Sequence, residues 1–375
     1  MEYTLETGPI RPPSEAASVL LRLTRNCPWN QCAFCPTFKD KKFSMRSTEE
    51  VINDIDTIRF VMDILQNKAD ETGRLSMENA RAAALENNVD AGILQQVLYW
   101  LHLGMKNMFL QDGDSLVMKT ENLLQILNHV KTQLPSIERI TTYARAATVA
   151  RRSIDELKAL RAAGLNRLHI GMESGADEVL ALIKKGVTSE RQILAGQKAV
   201  EAGFEVSLYF MPGIGGREYS REHALASAKV INAIKPAFVR IRSIVPMPGT
   251  PLYALMEKGE WTDTTERERV AELELMIQNI DGVQTTLFSD HIANLLEEVE
   301  GTFPNDKEKM LGVFKAFWSM SEEEQDNFIL GRRIGYYRRL ADNKITPDML
   351  AVKRELINNY GGFEPAMRAL LQRYI

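Results

Sequence analysis

All three cysteines of this 375-residue chain fall within one short stretch, Cys27-Pro-Trp-Asn-Gln-Cys32-Ala-Phe-Cys35. Three thiols so close together, with none elsewhere, cannot make an even disulfide framework and read as metal ligands on one loop. A zinc ion would ask for a fourth ligand, usually His or Cys. The five histidines (His102, His129, His169, His223, His291) are all distant in sequence. An iron–sulfur cluster also takes thiolate ligands. If the cluster has four irons, three cysteines leave one iron without a protein ligand, and that iron would be the reactive point. On spacing alone, a structural zinc site and a simple electron-transfer cluster stand beside this reading.

The elements that must carry the loop alternate between strand and helix. An apolar run at 17–23 predicts a first strand, ending in Thr24-Arg25-Asn26 just before the cysteines. Ser47 and Glu50 have the Ser-x-x-Glu spacing of a capping box and open a helix. Residues 67–103, rich in Ala, Leu and Glu, exceed a normal connection and predict a helical insertion. Further strands are expected at 106–110, 139–143, 166–170, 205–211 and 237–241. Leu123, Ile126, Leu127 and Val130 recur at helical spacing, so 117–131 is an amphipathic helix. Ser153 opens the next helix. Ser174 is expected to cap another, with Asp177 and Glu178 in its first turn, Lys184 and Lys185 in its last and Gly186 just beyond. Helices are also expected at 190–202 and 222–234.

Six strands separated by helices imply parallel pairing through right-handed crossovers. Both an open doubly wound sheet and a barrel satisfy that pattern. The cysteine loop separates them. A three-cysteine loop just after the first strand, with an aromatic before the last cysteine (Phe34-Cys35), resembles the radical S-adenosylmethionine (radical SAM) superfamily. The spacing departs by one residue, four and two where that superfamily usually has three and two. The resemblance implies an α/β fold, a partial (β/α)6 TIM-type barrel, with its chemistry at the C-terminal strand ends. It also implies a [4Fe–4S] cluster on Cys27, Cys32 and Cys35, its open iron chelated by S-adenosylmethionine. Reductive cleavage would then give a 5′-deoxyadenosyl radical that abstracts hydrogen from a small-molecule substrate. A reducing partner such as flavodoxin or ferredoxin follows from the same chemistry.

Unusual residues stand after each strand, in the order the superfamily has them. Asp112-Gly113-Asp114 follows the second strand, where a Gly-Gly-Glu-like turn accepts the ammonium of S-adenosylmethionine. A carboxylate suits an ammonium; the bland alternative is an Asp-Gly turn. Arg145, at the end of the third strand, pairs with a carboxylate or sits in a surface ion pair. Gly171-Met172-Glu173-Ser174-Gly175 follows the fourth strand. It resembles the ribose-binding motif of the branch that includes oxygen-independent coproporphyrinogen oxidases. There Glu173 would hold the hydroxyls, with Lys185 near the methionine carboxylate. After the fifth strand, Tyr209-Phe-Met-Pro-Gly-Ile-Gly-Gly216 would face the adenine, with Met211 either on its face or plain core. Phe34 and Tyr209 complete the cofactor-contacting set. Pro246-Met-Pro-Gly-Thr-Pro-Leu-Tyr253 follows the sixth strand, chiefly as a rigid turn.

These readings divide the chain into an N-terminal extension (1–16), a barrel core (17–253, with the insertion at 67–103) and a mostly helical C-terminal region (254–375). In that last region, 285–291 and 301–306 are expected as loops. Asp290 and His291 are polar enough to touch a substrate. The stretch Gly331-Arg-Arg-Ile-Gly-Tyr-Tyr-Arg-Arg339 reads as a solvated basic helix face, with anion binding as the alternative.

Composition bounds the function. Apolar content of 45% and charged content of 26% are ordinary for a globular chain. No run is long and apolar enough for a membrane span. Residues 1–13 carry acids and prolines without an apolar signal core, which argues against export. Metal-binding thiolates fit a reducing cytoplasm. The net charge of −4 argues against a nucleic-acid partner. Two other functions remain in view: a non-catalytic or delivery protein binding S-adenosylmethionine or a porphyrin, and a nucleic-acid-modifying radical enzyme.

Overall fold

The computed structural model describes residues 3–71 and 76–374. Residues 72–75 of the insertion, the first two residues of the N-terminal extension and the last of the C-terminal region lie outside the described residues. Eight strands form one hydrogen-bonded sheet: β1 (Val19–Arg22), β2 (Asn107–Gln111), β3 (Arg139–Ala144), β4 (Leu165–Glu173), β5 (Glu205–Phe210), β6 (Phe238–Ile241), β7 (Thr286–Phe288) and β8 (Gly301–Thr302). They follow one another in chain order. The first six are the strands expected from the sequence, and the fold is α/β, with a parallel-dominated sheet whose strands alternate with helices. By internal contacts the chain forms two compact units. One comprises Met1–Pro28, Asp40–His169 and Glu201–Phe204; the other comprises Trp29–Lys39, Ile170–Val200 and Glu205–Ile375.

In the first unit β1 pairs in parallel with β2, placing Leu20 opposite Phe109, and β2 pairs in parallel with β3. These strands are nearly continuous apolar runs because parallel strands with helices over them are buried on both faces. A two-residue ribbon, Thr24–Arg25 with Ser44–Met45, brackets the chain either side of the cysteines. Helix α1 (Thr48–Asn67) begins as its caps require. The Ser47 hydroxyl accepts the Glu50 N–H at 3.1 Å, and the Glu50 carboxylate accepts the Ser47 N–H at 2.7 Å. Helices α2 (Met77–Glu86) and α3 (Ala91–His102) form the insertion. Helix α4 (Thr120–Gln133) buries Leu123, Ile126, Leu127 and Val130, the stripe its spacing predicts. Helices α5 (Ala146–Arg151) and α6 (Ile154–Ala162) follow β3, α6 with a capping box of Ser153 and Glu156.

In the second unit β5 pairs in parallel with β6, β6 in parallel with β7, and β7 antiparallel with β8. The expected loop at 285–291 thus contains a strand, and so does the one at 301–306. Three residues are too few to show a period, so register with Val239 settles what spacing could not. Helices α7 (Asp177–Leu182), α8 (Ser189–Glu201) and α9 (Ser220–Ile234) belong here. Beyond β6 come α10 (Pro251–Glu257), α11 (Glu266–Gln278), α12 (Lys307–Trp318), α13 (Glu322–Arg333), α14 (Pro347–Tyr360) and α15 (Phe363–Gln372). The C-terminal region is mostly helical, as expected. Among the described residues no helix is long and apolar enough to cross a membrane.

Two expectations are corrected here. Ser174 does not cap α7, which begins at Asp177 after an Ala176 that supplies no side-chain cap. Its hydroxyl accepts the Ala176 N–H at 3.0 Å, ahead of the helix, and lies 2.8 Å from His223 Nδ1. The basic stretch at 331–339 is solvated at Arg338 and Arg339 but not at its first two arginines. Arg333 is 1% exposed and holds Glu266 through two hydrogen bonds of 2.6 and 2.8 Å. Arg332, also buried, is spent on the carbonyls of Leu295, Asn294 and Tyr337 and on Glu297. A buried guanidinium must have partners, and both have them inside the fold.

Candidate functional site

The boundary between the two units passes through the cysteine loop itself, between Pro28 and Trp29. Each end of the loop is held by its own unit. In the first, Asn26 has φ +69, and its N–H donates to Asp112 Oδ2 at 3.0 Å. The same carboxylate takes two donors from Arg22, at 2.9 and 2.6 Å. Gly8 packs so closely over Asp112 that a Cβ there would lie 1.9 Å from Oδ1. Its neighbour in the N-terminal segment, Glu6, binds Arg22 and Arg25 at 3.0 and 2.6 Å. Asp112 is fully buried, and burial raises its pKa against the pull of Asn26 and Arg22. A carboxylate committed in this way fixes the entry to the cysteine loop; the ammonium-accepting role that the resemblance implies would require it to let go of these donors.

Asp114 is also buried, its Oδ2 accepting the Thr148 hydroxyl at 2.5 Å. Burial raises its pKa to about 6, with the Thr148 bond and the nearby Arg145 acting the other way. Gly113 is half-buried, as is Arg145, whose carbonyl starts α5 by accepting the Thr148 and Val149 N–H groups.

In the second unit the loop is held at two points. The Trp29 indole N–H donates to the Lys184 carbonyl at 2.8 Å. The Ala33 N–H donates to the Ile183 carbonyl at 2.8 Å. Both acceptors lie just past the end of α7, where carbonyls have no intrahelical partner. Gly186, with φ +71, completes the seat: a Cβ there would stand 2.4 Å from the Trp29 ring. The sequence marked Gly186 only as a helix stop and gave no sign of Trp29. Ala33 itself is buried in a cluster with Val179, Ile183, Met211, Ile214 and Leu252. Met211 is therefore core. Phe34 packs against that cluster.

Lys185 and Glu173 meet in the same unit, Nζ to Oε1 at 2.7 Å, both nearly buried. Lys185 Nζ also stands 5.9 Å from the centre of the Phe34 ring, within cation–π range. Gly171 lies close beside them: a Cβ there would stand 2.3 Å from Glu173 Oε1 and 2.7 Å from Lys185 Nζ and would shift the pair. Tyr209, the remaining residue of the expected set, is half-buried in β5.

A profile of the Radical SAM superfamily matches residues 88–228. The heme chaperone HemW of Bacillus subtilis is 25% identical over 179 residues, 47% of this chain and 46% of that protein. The tRNA uridine(34) acetyltransferase of Methanocaldococcus jannaschii is 28% identical over 116 residues, 31% of this chain and 21% of that one.

Over residues 88–228 this chain resembles the radical SAM superfamily.

The chain spans less than half the length of these two curated relatives. Among solved structures, methylornithine synthase (PylB) is similar at a TM-score of 0.43 and 16% identity, over 87% of this chain and 84% of that one. Radical SAM proteins bind a [4Fe–4S] cluster and S-adenosylmethionine, and the donor set present fits the cluster. None of the three cysteines is in a disulfide and all are partly accessible, and the hydrogen bonds described above hold their loop without using the thiols. Among the described residues no group of three or more His, Cys, Asp or Glu gathers closely enough to hold a single metal ion; in a four-iron cluster each thiolate takes a separate iron.

Elsewhere, Asp290 binds Arg240 at 2.9 Å. His291 accepts the Ala293 N–H at 3.1 Å, and burial lowers its pKa to about 4. Both are occupied within the fold.

Proposed function

We propose that this protein is a radical SAM enzyme in which Cys27, Cys32 and Cys35 hold the cluster and Glu173 and Lys185 hold S-adenosylmethionine. One observation carries the reading. The Glu173–Lys185 pair, 2.7 Å long, lies against Phe34, the residue next to Cys35. A carboxylate with two acceptor oxygens suits the vicinal hydroxyls of a ribose, and an ammonium suits a carboxylate. Bound there, the cluster and the sulfonium supply one-electron cleavage and a carbon radical able to abstract hydrogen. The residues of the chain bind, orient and exclude water, which is the protein's share in cofactor chemistry. Phe34 and Tyr209 provide aromatic surface. Gly113, Asp114 and Arg145 take the roles the resemblance gives them, toward the amino-acid end of the cofactor. The substrate is a small molecule, the electron comes from a flavodoxin or ferredoxin, residues 17–253 form the catalytic part, and the cell compartment is the cytoplasm.

The test is purification and reconstitution without air. The expected result is about four irons per chain, as one [4Fe–4S] cluster requires, and formation of 5′-deoxyadenosine on reduction with S-adenosylmethionine present. Zinc in place of iron, or a cluster spectrum that ignores the sulfonium, would overturn the proposal. A second reading is favoured by the similarity to a heme chaperone: binding of S-adenosylmethionine and porphyrin with no deoxyadenosine formed. The tRNA-directed relative supports a third, which retention on immobilised tRNA at moderate salt would reveal.

A further inference from the structure

Glu173 carries a backbone conformation that side chains rarely adopt, φ +59. A closed ring of hydrogen bonds holds it there. The Glu173 carbonyl accepts the Met211 N–H at 3.0 Å. The Met211 carbonyl lies 3.1 Å from His223 Nε2, and His223 Nδ1 lies 2.8 Å from the hydroxyl of Ser174, the residue after Glu173. A carbonyl can only accept, so the imidazole carries its proton on Nε2 and accepts the Ser174 hydroxyl at Nδ1. One neutral imidazole thus supplies the one donor and one acceptor that close the ring. Ser174 and His223 are fully buried, and Phe210 stacks on the imidazole at 4.7 Å. Burial lowers the His223 pKa to about 3, which keeps the ring neutral in ordinary buffers.

We propose that His223 is a positioning residue: through Ser174 and the Met211 carbonyl it sets the Glu173 backbone, and so the carboxylate that receives the ribose of S-adenosylmethionine. The proposal rests on the assignment of Glu173 made above. Its bland rival is a core histidine that merely satisfies two buried groups. The two differ in whether loss of the imidazole hydrogen bonds is felt at the cofactor.

The experiment uses the full chain, reconstituted without air, and reads three quantities: iron per chain, thermal midpoint, and affinity for S-adenosylmethionine from the change in the cluster's EPR signal. His223→Phe keeps the ring and its stacking but removes both hydrogen bonds. His223→Gln keeps one acceptor and one donor. The expected result is normal iron in His223→Phe, affinity weaker by about tenfold, the scale of one buried hydrogen bond, and recovery of most of it in His223→Gln. Glu173→Ala should weaken binding as well, and His223→Phe should add nothing to it, because residues acting as one unit are not additive. Should His223→Phe fail to load iron, Ser174→Ala, which opens the ring at the hydroxyl and also removes the acceptor of the Ala176 N–H, takes its place with the same expectation. If Glu173→Ala weakens binding but His223→Phe does not, or if the two losses add, the positioning role is wrong while the Glu173 assignment stands. If Glu173→Ala leaves affinity unchanged, both fall.

Discussion

The backbone N–H of Leu252 donates to the carbonyl of Ala33 at 2.9 Å. Ala33 lies between Cys32 and Phe34, and its own N–H goes to Ile183. The residue is thus held on both sides, by the end of α7 and by the start of α10. The first N–H groups of a helix have no partner within it; Pro251 has none to offer, and α10 spends that of Leu252 on the cysteine loop. The Pro-Gly-Thr-Pro-Leu run is therefore more than a turn. Thr250 caps α10 by accepting the Tyr253 N–H, Pro251 follows as the first helical residue, and Leu252 is then placed to reach the loop. Thr250→Ala should destabilise the chain by about 1 kcal/mol, as the loss of a helix cap does. It should also hasten loss of iron to a chelator, followed by the bleaching of cluster absorbance.

Gly186 and Gly259 have nearly the same backbone, φ +71 and +72, but different surroundings. A Cβ at Gly186 meets the Trp29 ring at 2.4 Å, whereas one at Gly259 meets nothing within 4 Å. Gly259→Ala should therefore show only the strain of a left-handed residue, about 1 kcal/mol. Gly186→Ala should show that strain plus displacement of the indole. Denaturant unfolding reads the first effect, and the tryptophan emission maximum together with iron content reads the second. Equal behaviour of the two variants would remove Gly186 from the account of the loop.

Asp112 joins Arg22 to the Asn26 N–H at the entry to the cysteine loop. Asp112→Ala leaves the Arg22 guanidinium with Glu6 as its remaining carboxylate partner, and loss of the charge-assisted bonds should cost about 2 kcal/mol. Because Asn26 adjoins Cys27, iron loading should fall as well. Asp112→Asn keeps one acceptor and should lie between the two. Normal iron content in Asp112→Ala would show that this end of the loop needs no such anchor.

Glu272 is buried with its carboxylate accepting the Gly213 N–H and the Ser220 hydroxyl, each at 2.6 Å. Burial raises its pKa from 4.5 to about 7; Arg269 on the same helix opposes the shift and Glu268 adds to it, and His223 Nε2 faces it at 3.5 Å. The folded state therefore holds this proton where the unfolded state has released it. The stability Glu272 contributes is full below pH 4.5 and is lost as pH rises through about 7. Glu272→Gln lacks that loss. Its thermal midpoint relative to the unmodified chain should rise across this window and level off above it. A difference that stays constant with pH would contradict the raised pKa.

Much of this molecule is written in short-range pattern. The spacing of Cys27, Cys32 and Cys35 announces thiolate chemistry. Ser47 with Glu50, and Ser153 with Glu156, begin their helices where a three-residue interval says they must, because a cap acts within one turn. Strands such as β1 and β2 are visible because burial on both faces makes each a dense apolar run bounded by polar turns. Other features escape such reading. Thr286–Phe288 is too short to carry a period, and only pairing with β6 makes it a strand.

The sequence by itself determined most of the elements, the cysteine loop and the order of the polar residues after the strands, since each depends on neighbours within a few positions. The tertiary structure alone decided what those polar residues touch. Ser174 has the composition of a helix cap but serves His223, 49 residues away. Arg333 has the look of a solvated cation but is buried on Glu266, 67 residues away. Asp112 stands where a ligand carboxylate would but holds Asn26, 86 residues away. A buried polar group takes whatever partner packing brings within hydrogen-bond reach, and separation along the chain carries no trace of that choice.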